Sequence, residues 1–279
     1  MHVRPCNAAL EAVGAARLPS ECMRNFTLAV HQHRRCRRGV LSSLKSARRL
    51  TKFNDGPPPR ADVLKLRSLL LVSALLLVSL TPRAWDAERM LAAAQRLGAR
   101  AVAGVQALVP VLMAARALDE AERLPVVNQY FNRRILFRDD VEAWGQTDYW
   151  ASPLESLERG QGDCEDFAIA KYFSLLAVDV PQAKLRLVYV RAQTGGPGGP
   201  TQAHMVLAYY AAPGAEPLIL DNLITDVRPA SRRPDLQPVF SFNSEGLWEG
   251  VGSAPAGDPA IRLSRWREVL AKARQEGFQ

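Results

Sequence analysis

Between residues 63 and 279 the chain carries one cysteine, Cys164, and one histidine, His204. That scarcity limits how this part of the chain can fold. A lone cysteine closes no intramolecular disulfide. One cysteine and one histidine also fall short of the ligand count of a usual zinc site. The fold must therefore rest on buried apolar surface, and a chain that is 48% hydrophobic and 23% charged has an ordinary globular composition for that purpose. What the two residues can build together is a thiolate–imidazolium pair.

The formal charge of +8 suggests a polyanion-binding protein until it is located along the chain. Residues 1–62 hold 12 Lys/Arg against 4 Asp/Glu, which leaves 24 of each sign in residues 63–279. The larger part has no net charge, and a nucleic-acid partner loses its main support.

Three segments follow from this distribution. Residues 1–62 are basic, poorly periodic and close on Pro57-Pro58-Pro59. They read as a disordered extension or as upstream sequence translated in error, with the true start near Val63 or Leu64. Residues 63–84 contain Lys65 and Arg67 ahead of an apolar run, Leu69 to Leu80. That pattern describes a secretory signal. The run is short for a membrane span, which needs about 20 residues, although an uncleaved anchor is the alternative reading. Cleavage after Thr81 or Ala84 fits the small-x-small rule poorly. Residues 85–279 are expected to form the folded domain.

Within that domain the Ala/Leu/Arg-rich stretch from Trp85 to about Ala117 favours helix. Asp119 to Phe137 reads as a second helix, with Val127, Tyr130, Phe131 and Ile135 near one face. Asp148 to Pro153 is a loop followed by a short helical turn through Leu157, and Gly160 and Gly162 punctuate the approach to Asp163. The strongest helix runs from Asp163 to Val178, with Phe167, Ala170, Phe173, Ser174 and Ala177 as its stripe. Lys184–Arg191, His204–Tyr210 and Leu218–Leu220 alternate as strands. The loop chemistry between them, including Gly195 to Pro200, points to an antiparallel sheet. Ser264 to Gln275 reads as a terminal helix that buries Trp266, Val269 and Leu270. The fold class is α+β.

Cys164 falls in the first turn of the helix that starts at Asp163. Free N–H groups and the positive end of the helix dipole favour thiolate there. The same N–H groups suit an oxyanion. His204 lies on one strand and Asp221 ends another, 17 residues later, so neighbouring strands would let the carboxylate fix the imidazole tautomer. Asp163, Glu165 and Asp166 surround the thiol. They read either as capping carboxylates or as hard oxygen ligands for calcium.

Several blocks between Val127 and Trp248 resemble the bacterial transglutaminase-like cysteine proteinases, in particular the LapG-type periplasmic proteases. They include Val127 to Asn132, Asp148 to Pro153, Gly162 to Tyr172 (with Gly162-Asp163-Cys164-Glu165-Asp166) and Leu185 to Val190. Ala203 to Tyr210, Leu218 to Asn222 and Pro238 to Asn243 complete them. The resemblance implies a papain-like, transglutaminase-like core with N-terminal helices packed on the sheet. It places nucleophile, base and acid on Cys164, His204 and Asp221. It also implies calcium, with ligands falling on Asp163 and Glu165 and Asp166 as a further candidate; Asn222, beside the acid, is a separate candidate member of the site. It further implies a periplasmic enzyme whose substrate is the N-terminal region of a large repeat adhesin, whose action releases cells from a biofilm, and which an inner-membrane cyclic di-GMP receptor sequesters. The 62-residue basic lead departs from the family pattern.

Two other functions use the same residues. A transglutaminase-type acyltransferase would replace water by an amine. A non-catalytic binding module would keep the fold. Trp150 reads equally as a cleft wall or as a packing residue.

Overall fold

The computed structural model describes residues 85–278. These all belong to one compact unit. The basic lead, the secretory segment and the proposed start at Val63 fall outside the described residues.

The helical N-terminal stretch is two helices, α1 (Ala87–Leu97) and α2 (Ala99–Arg116). Asp86 caps α1 by accepting from the N–H groups of Glu88 and Arg89 at 3.0 and 3.1 Å. The break falls at Gly98, whose φ of +156° is open to glycine. A Cβ there would lie 2.4 Å from the Glu158 carboxylate. Glu158 approaches because it caps α2, accepting from Ala101 N–H at 2.6 Å.

Helix α3 (Glu120–Arg134) starts in a capping box formed by Asp119 and Glu122. It ends before the expected Phe137, because Ile135 turns extended with φ −101° and ψ 128°. Leu136–Phe137 then forms β1, which pairs in parallel with β2 (Gln161–Gly162). Between them lie α4 (Asp140–Trp144) and α5 (Pro153–Arg159). Helix α5 is framed by a Ser152 capping box, Pro153 in the first turn and Gly160 at φ +64°.

Helix α6 (Cys164–Ala177) is the centre of the molecule. Only Leu176 of its 14 residues escapes full burial. The expected single stripe is therefore too narrow a description: α6 is enclosed on every face, with Glu165, Asp166 and Lys171 buried alongside its apolar residues. It packs on α3, α5, β3 (Leu185–Gln193) and β4 (Thr201–Tyr209).

The sheet continues with β5 (Leu218–Leu220), β6 (Arg228–Pro229), β7 (Leu236–Phe242), β8 (Leu247–Glu249) and β9 (Pro255–Gly257). Its order is β6-β5-β4-β3-β7-β8-β9, antiparallel at every pairing. The α+β fold with an antiparallel sheet is as the sequence indicates, and β7 to β9 extend it. The chain closes with α7 (Pro259–Arg262) and α8 (Ser264–Gln275). Trp266 of α8 is fully buried. It meets Tyr172, Phe173 and Phe242 at centroid distances of 5.5, 5.8 and 5.3 Å, joining the last helix to α6 and β7.

Asn243, at the end of β7, satisfies four backbone groups from within the core. Its Nδ2 donates to Leu185 O and Gln182 O at 3.0 and 3.2 Å, and its Oδ1 accepts from Glu245 and Gly246 N–H at 2.7 and 3.1 Å. Asn243→Ala strands these groups. It is expected to lower unfolding free energy by about 2–4 kcal/mol, measured by urea denaturation; a loss under ~0.5 kcal/mol would contradict this account.

Candidate functional site

The two ends of the site come from different layers. One is the first turn of α6. Asp163 is the N-cap and Cys164 the first helical residue, 3% exposed. The Cys164 thiol donates to Glu165 Oε2 at 3.0 Å. Cys164 is the one cysteine among the described residues.

Carboxylates crowd this turn. Asp163, Glu165 and Asp166 are joined by Asp140 from the start of α4 and by Asp148 from the loop after it. Ligand atoms of Asp140, Asp163 and Asp166 lie within 4.8 Å of one another, as do those of Asp140, Asp148 and Glu165. Asp166 is fixed by Ala151 N–H at 2.8 Å and the Trp144 indole N–H at 3.2 Å. It crowds Gly162 so closely that a Cβ on that glycine would sit 2.3 Å from Asp166 Oδ2. Asp148 accepts from Arg265 Nε at 2.6 Å and from the Trp150 indole at 3.1 Å. Trp150 itself is buried and stacks on Phe242, so its packing role is direct.

Asp140 accepts from Tyr149 N–H at 2.5 Å through Oδ2, whereas its buried Oδ1 has no hydrogen-bond partner. Burial, and then the neighbouring charge of Glu165, push the Asp140 carboxyl from 3.8 up to about 7. Burial and Glu165 likewise push Asp166 well above the usual range. Buried oxygen donors from several residues, one of them unsatisfied, fit a hard divalent cation. Asp140 and Asp148 were not singled out by sequence reasoning. Asp148 began one of the quoted blocks, and Asp140 offered only the pair Asp139-Asp140.

The other end of the site lies in the sheet. His204 is the fourth residue of β4, which begins at Thr201, three residues before the expected start. Its Nε2 lies 2.8 Å from Oδ1 of Asp221, which follows β5 directly. The two side chains are 2% and 0% exposed. The pairing of β4 with β5 brings them together across 17 residues. Asp221 Oδ1 also accepts from the N–H groups of Asn222 and Leu223 at 2.6 and 3.1 Å. Asn222 thus joins the site through its backbone. Arg233, which no sequence pattern marked, donates from Nη2 to Asp221 Oδ2 at 2.8 Å. Burial alone would raise the Asp221 carboxyl. The His204 hydrogen bond and charge, with the Arg233 guanidinium, outweigh burial and hold it well below the usual range. An ionised Asp221 only accepts, so His204 carries a proton on Nε2 in this hydrogen bond. Helix α6 and β4 pack directly, so the thiol-bearing and imidazole-bearing elements are neighbours.

A buried thiol at a helix start and a buried, acid-paired imidazole on an adjoining strand are the chemistry of a cysteine peptidase. Residues 109–235 match the family model for bacterial transglutaminase-like cysteine proteinases. The chain resembles Legionella pneumophila LapG in an EGTA-treated structure at 38% identity and TM-score 0.60, covering 67% of this chain and 97% of that one. It resembles a calcium-bound structure of the same protein at 37% identity and TM-score 0.57, covering 67% and 98%. No curated protein matches in sequence. The chain belongs to the bacterial transglutaminase-like cysteine proteinases, and within them it is of the LapG type.

The Asp140 environment has a measurable cost. Because the folded-state pKa is raised, the folded protein holds a proton that the unfolded chain releases. Stability falls as pH rises from about 4 to about 7, and the full cost remains above that. Asp140→Asn keeps the acceptor for Tyr149 N–H and removes the charge. In chelator-containing buffer the variant is expected to be more stable than the parent by about 1–3 kcal/mol at pH 8. The difference should vanish near pH 4 in denaturant titrations.

Proposed function

We propose that this chain is a calcium-dependent periplasmic cysteine endopeptidase, with Cys164 as nucleophile, His204 as base and Asp221 as the acid that orients it. The buried His204–Asp221 hydrogen bond, on a strand packed against the helix that starts at Cys164, carries this reading. The Cys164 thiolate attacks the carbonyl carbon of a peptide bond. The C–N bond breaks as the His204 imidazolium gives its Nδ1 proton to the leaving amine. Water then hydrolyses the thioester, with His204 taking its proton. Asp221 stays ionised throughout and stabilises the imidazolium. Backbone N–H groups in the first turn of α6 would receive the oxyanion.

Calcium would be held by Asp163 and Glu165, with Asp140 and Asp148 completing the oxygen set. It would supply positive charge that offsets the carboxylates around the thiol. Asp166 is occupied by Ala151 N–H and Trp144 and belongs to the scaffold of this turn. The substrate we assign is the N-terminal region of a large repeat adhesin, whose cleavage would release cells from a biofilm. An inner-membrane cyclic di-GMP receptor would hold the enzyme in reserve. Support for the location is the charged start and apolar run at 64–80, and for the substrate class the family.

The test is cleavage. The purified protein is mixed with the periplasmic N-terminal segment of the host's largest repeat adhesin, with calcium or with EGTA. A discrete cut that requires calcium is expected, and Cys164→Ala should reduce its rate by more than about 10³-fold while the protein stays folded. Incorporation of an added amine without cleavage would overturn the peptidase reading in favour of acyl transfer. Asp163→Ala is expected to abolish most of the calcium-induced rise in Tm; an unchanged rise would remove Asp163 from the ligand set.

A further inference from the structure

Arg233 lies in the segment between β6 and β7, far in sequence from Cys164 and outside every motif of the chain. Its side chain is 1% exposed. It is bound on two sides. Nη2 donates to Asp221 Oδ2 at 2.8 Å and to Asp235 Oδ2 at 2.7 Å, and Nε donates to Asp235 Oδ1 at 3.0 Å. Asp235 is about a third exposed, at 32%, so the guanidinium is anchored from the outer side and presented to Asp221 on the inner side. The backbone closes the same segment, with Arg233 N–H donating to Ala230 O at 2.9 Å and Leu236 N–H donating to Arg233 O at 3.1 Å.

The bond to Asp221 completes a division of labour between two oxygens. Oδ1 faces His204 and takes the Asn222 and Leu223 N–H groups, whereas Oδ2 accepts from the Arg233 guanidinium. Without it Oδ2 would be a buried carboxylate oxygen lacking that donor, and the carboxylate could rotate about its last bond. We propose that Arg233 is a positioning residue for the reaction: held by Asp235, it fixes the plane of the Asp221 carboxylate and tempers the charge that His204 feels.

The charged groups that face Asp221 are His204 from β4, Arg233 and Asp235 from the β6–β7 segment, and Lys171 from α6, which interacts with it electrostatically. Asn132 of α3 adds a neutral donor to the Asp221 carbonyl at 2.8 Å. Burial pushes the Lys171 ammonium down to about 7, against the opposing pull of Asp221. Above that pH Arg233 is the permanent cation beside the acid. Removing it leaves the Asp221 charge less compensated, so the imidazolium becomes more stable and a poorer proton donor to the leaving amine.

This inference rests on the His204–Asp221 reading given above, and the experiment separates the two. The His204 imidazole is followed in the full-length protein by nitrogen-15 NMR, its signals distinguished from those of His2, His31 and His33 by a His204→Gln control. Cleavage of the adhesin segment is measured in parallel. Arg233→Gln is expected to raise the His204 titration midpoint by about 0.5–1 pH unit and to weaken the downfield Nε2–H signal. It should lower kcat by roughly tenfold or more with KM within about twofold. Arg233→Lys should restore the midpoint, because the charge returns, but not the full kcat, because the fork does not. Asp235→Asn, a milder change at a partly exposed group, should shift both readouts in the same direction by less, and it keeps the test open where Arg233→Gln fails to fold. If Asp221→Asn moves the His204 signals while folded Arg233→Gln and Asp235→Asn leave midpoint and kcat unchanged, Arg233 has only a structural role and the inference is overturned. If Asp221→Asn itself leaves the His204 signals unmoved, the dyad reading fails first.

Discussion

The first turn of α6 places a thiol and several carboxylates in one buried volume, and much of the neighbouring structure answers to that concentration of like charge. Ala151 N–H and the Trp144 indole hold Asp166, Tyr149 N–H holds Asp140, and Arg265 with the Trp150 indole holds Asp148. These donors come from α4, the loop before α5, and α8. The arrangement therefore recruits segments far apart in sequence to a single helical turn. Even so, burial still disfavours the charged forms of Asp140 and Asp166. A helix N-terminus favours negative charge, but its partial charge is small beside that of several carboxylates. This is the physical reason a divalent cation suits the place.

The sheet solves a different problem. It must hold an imidazole and an acid in fixed geometry without any covalent tie. Adjacent antiparallel strands do so because their register is set by side-chain alternation along their whole length. The nine-residue pairing of β3 with β4 fixes His204 opposite Val190, and the shorter β4–β5 pairing delivers Asp221. Asn132 and Asn128 of α3 hold the segment after β5 by donating to the carbonyls of Asp221 and Thr225 at 2.8 and 2.7 Å. The acid is thus held by its backbone as well as by its side chain.

What was legible in the sequence follows from how local each feature is. Helix α6 could be read because its cap, its apolar content and its preceding glycines lie within one stretch. His204 and Asp221 could be paired because only a short loop separates β4 from β5. The division of the N-terminal helical stretch at Gly98 was missed because its cause, Glu158, lies 60 residues away. The end of α3 was overshot because Leu136 and Phe137 look helical until β2 is present to pair with them. Strands β8 and β9 have three residues each and contain too little pattern to announce themselves. Asp140, Asp148 and Arg233 were invisible for the same reason: each is an ordinary charged residue until tertiary structure buries it beside a particular neighbour.

The close approach of Gly162 and Asp166 bears on how such a chain can change over generations. A side chain at 162 would collide with the carboxylate at 166, and that carboxylate is needed to tie α6 to Ala151 and Trp144. A side chain at 162 therefore requires residue 166 to move. In the five-residue string Gly162-Asp163-Cys164-Glu165-Asp166 the outer members are thus constrained by shape and hydrogen bonding, and the inner ones by chemistry. A lineage that lost catalysis would be released from the inner constraint but not from the outer one, so the glycine and the second aspartate should outlast the cysteine between them.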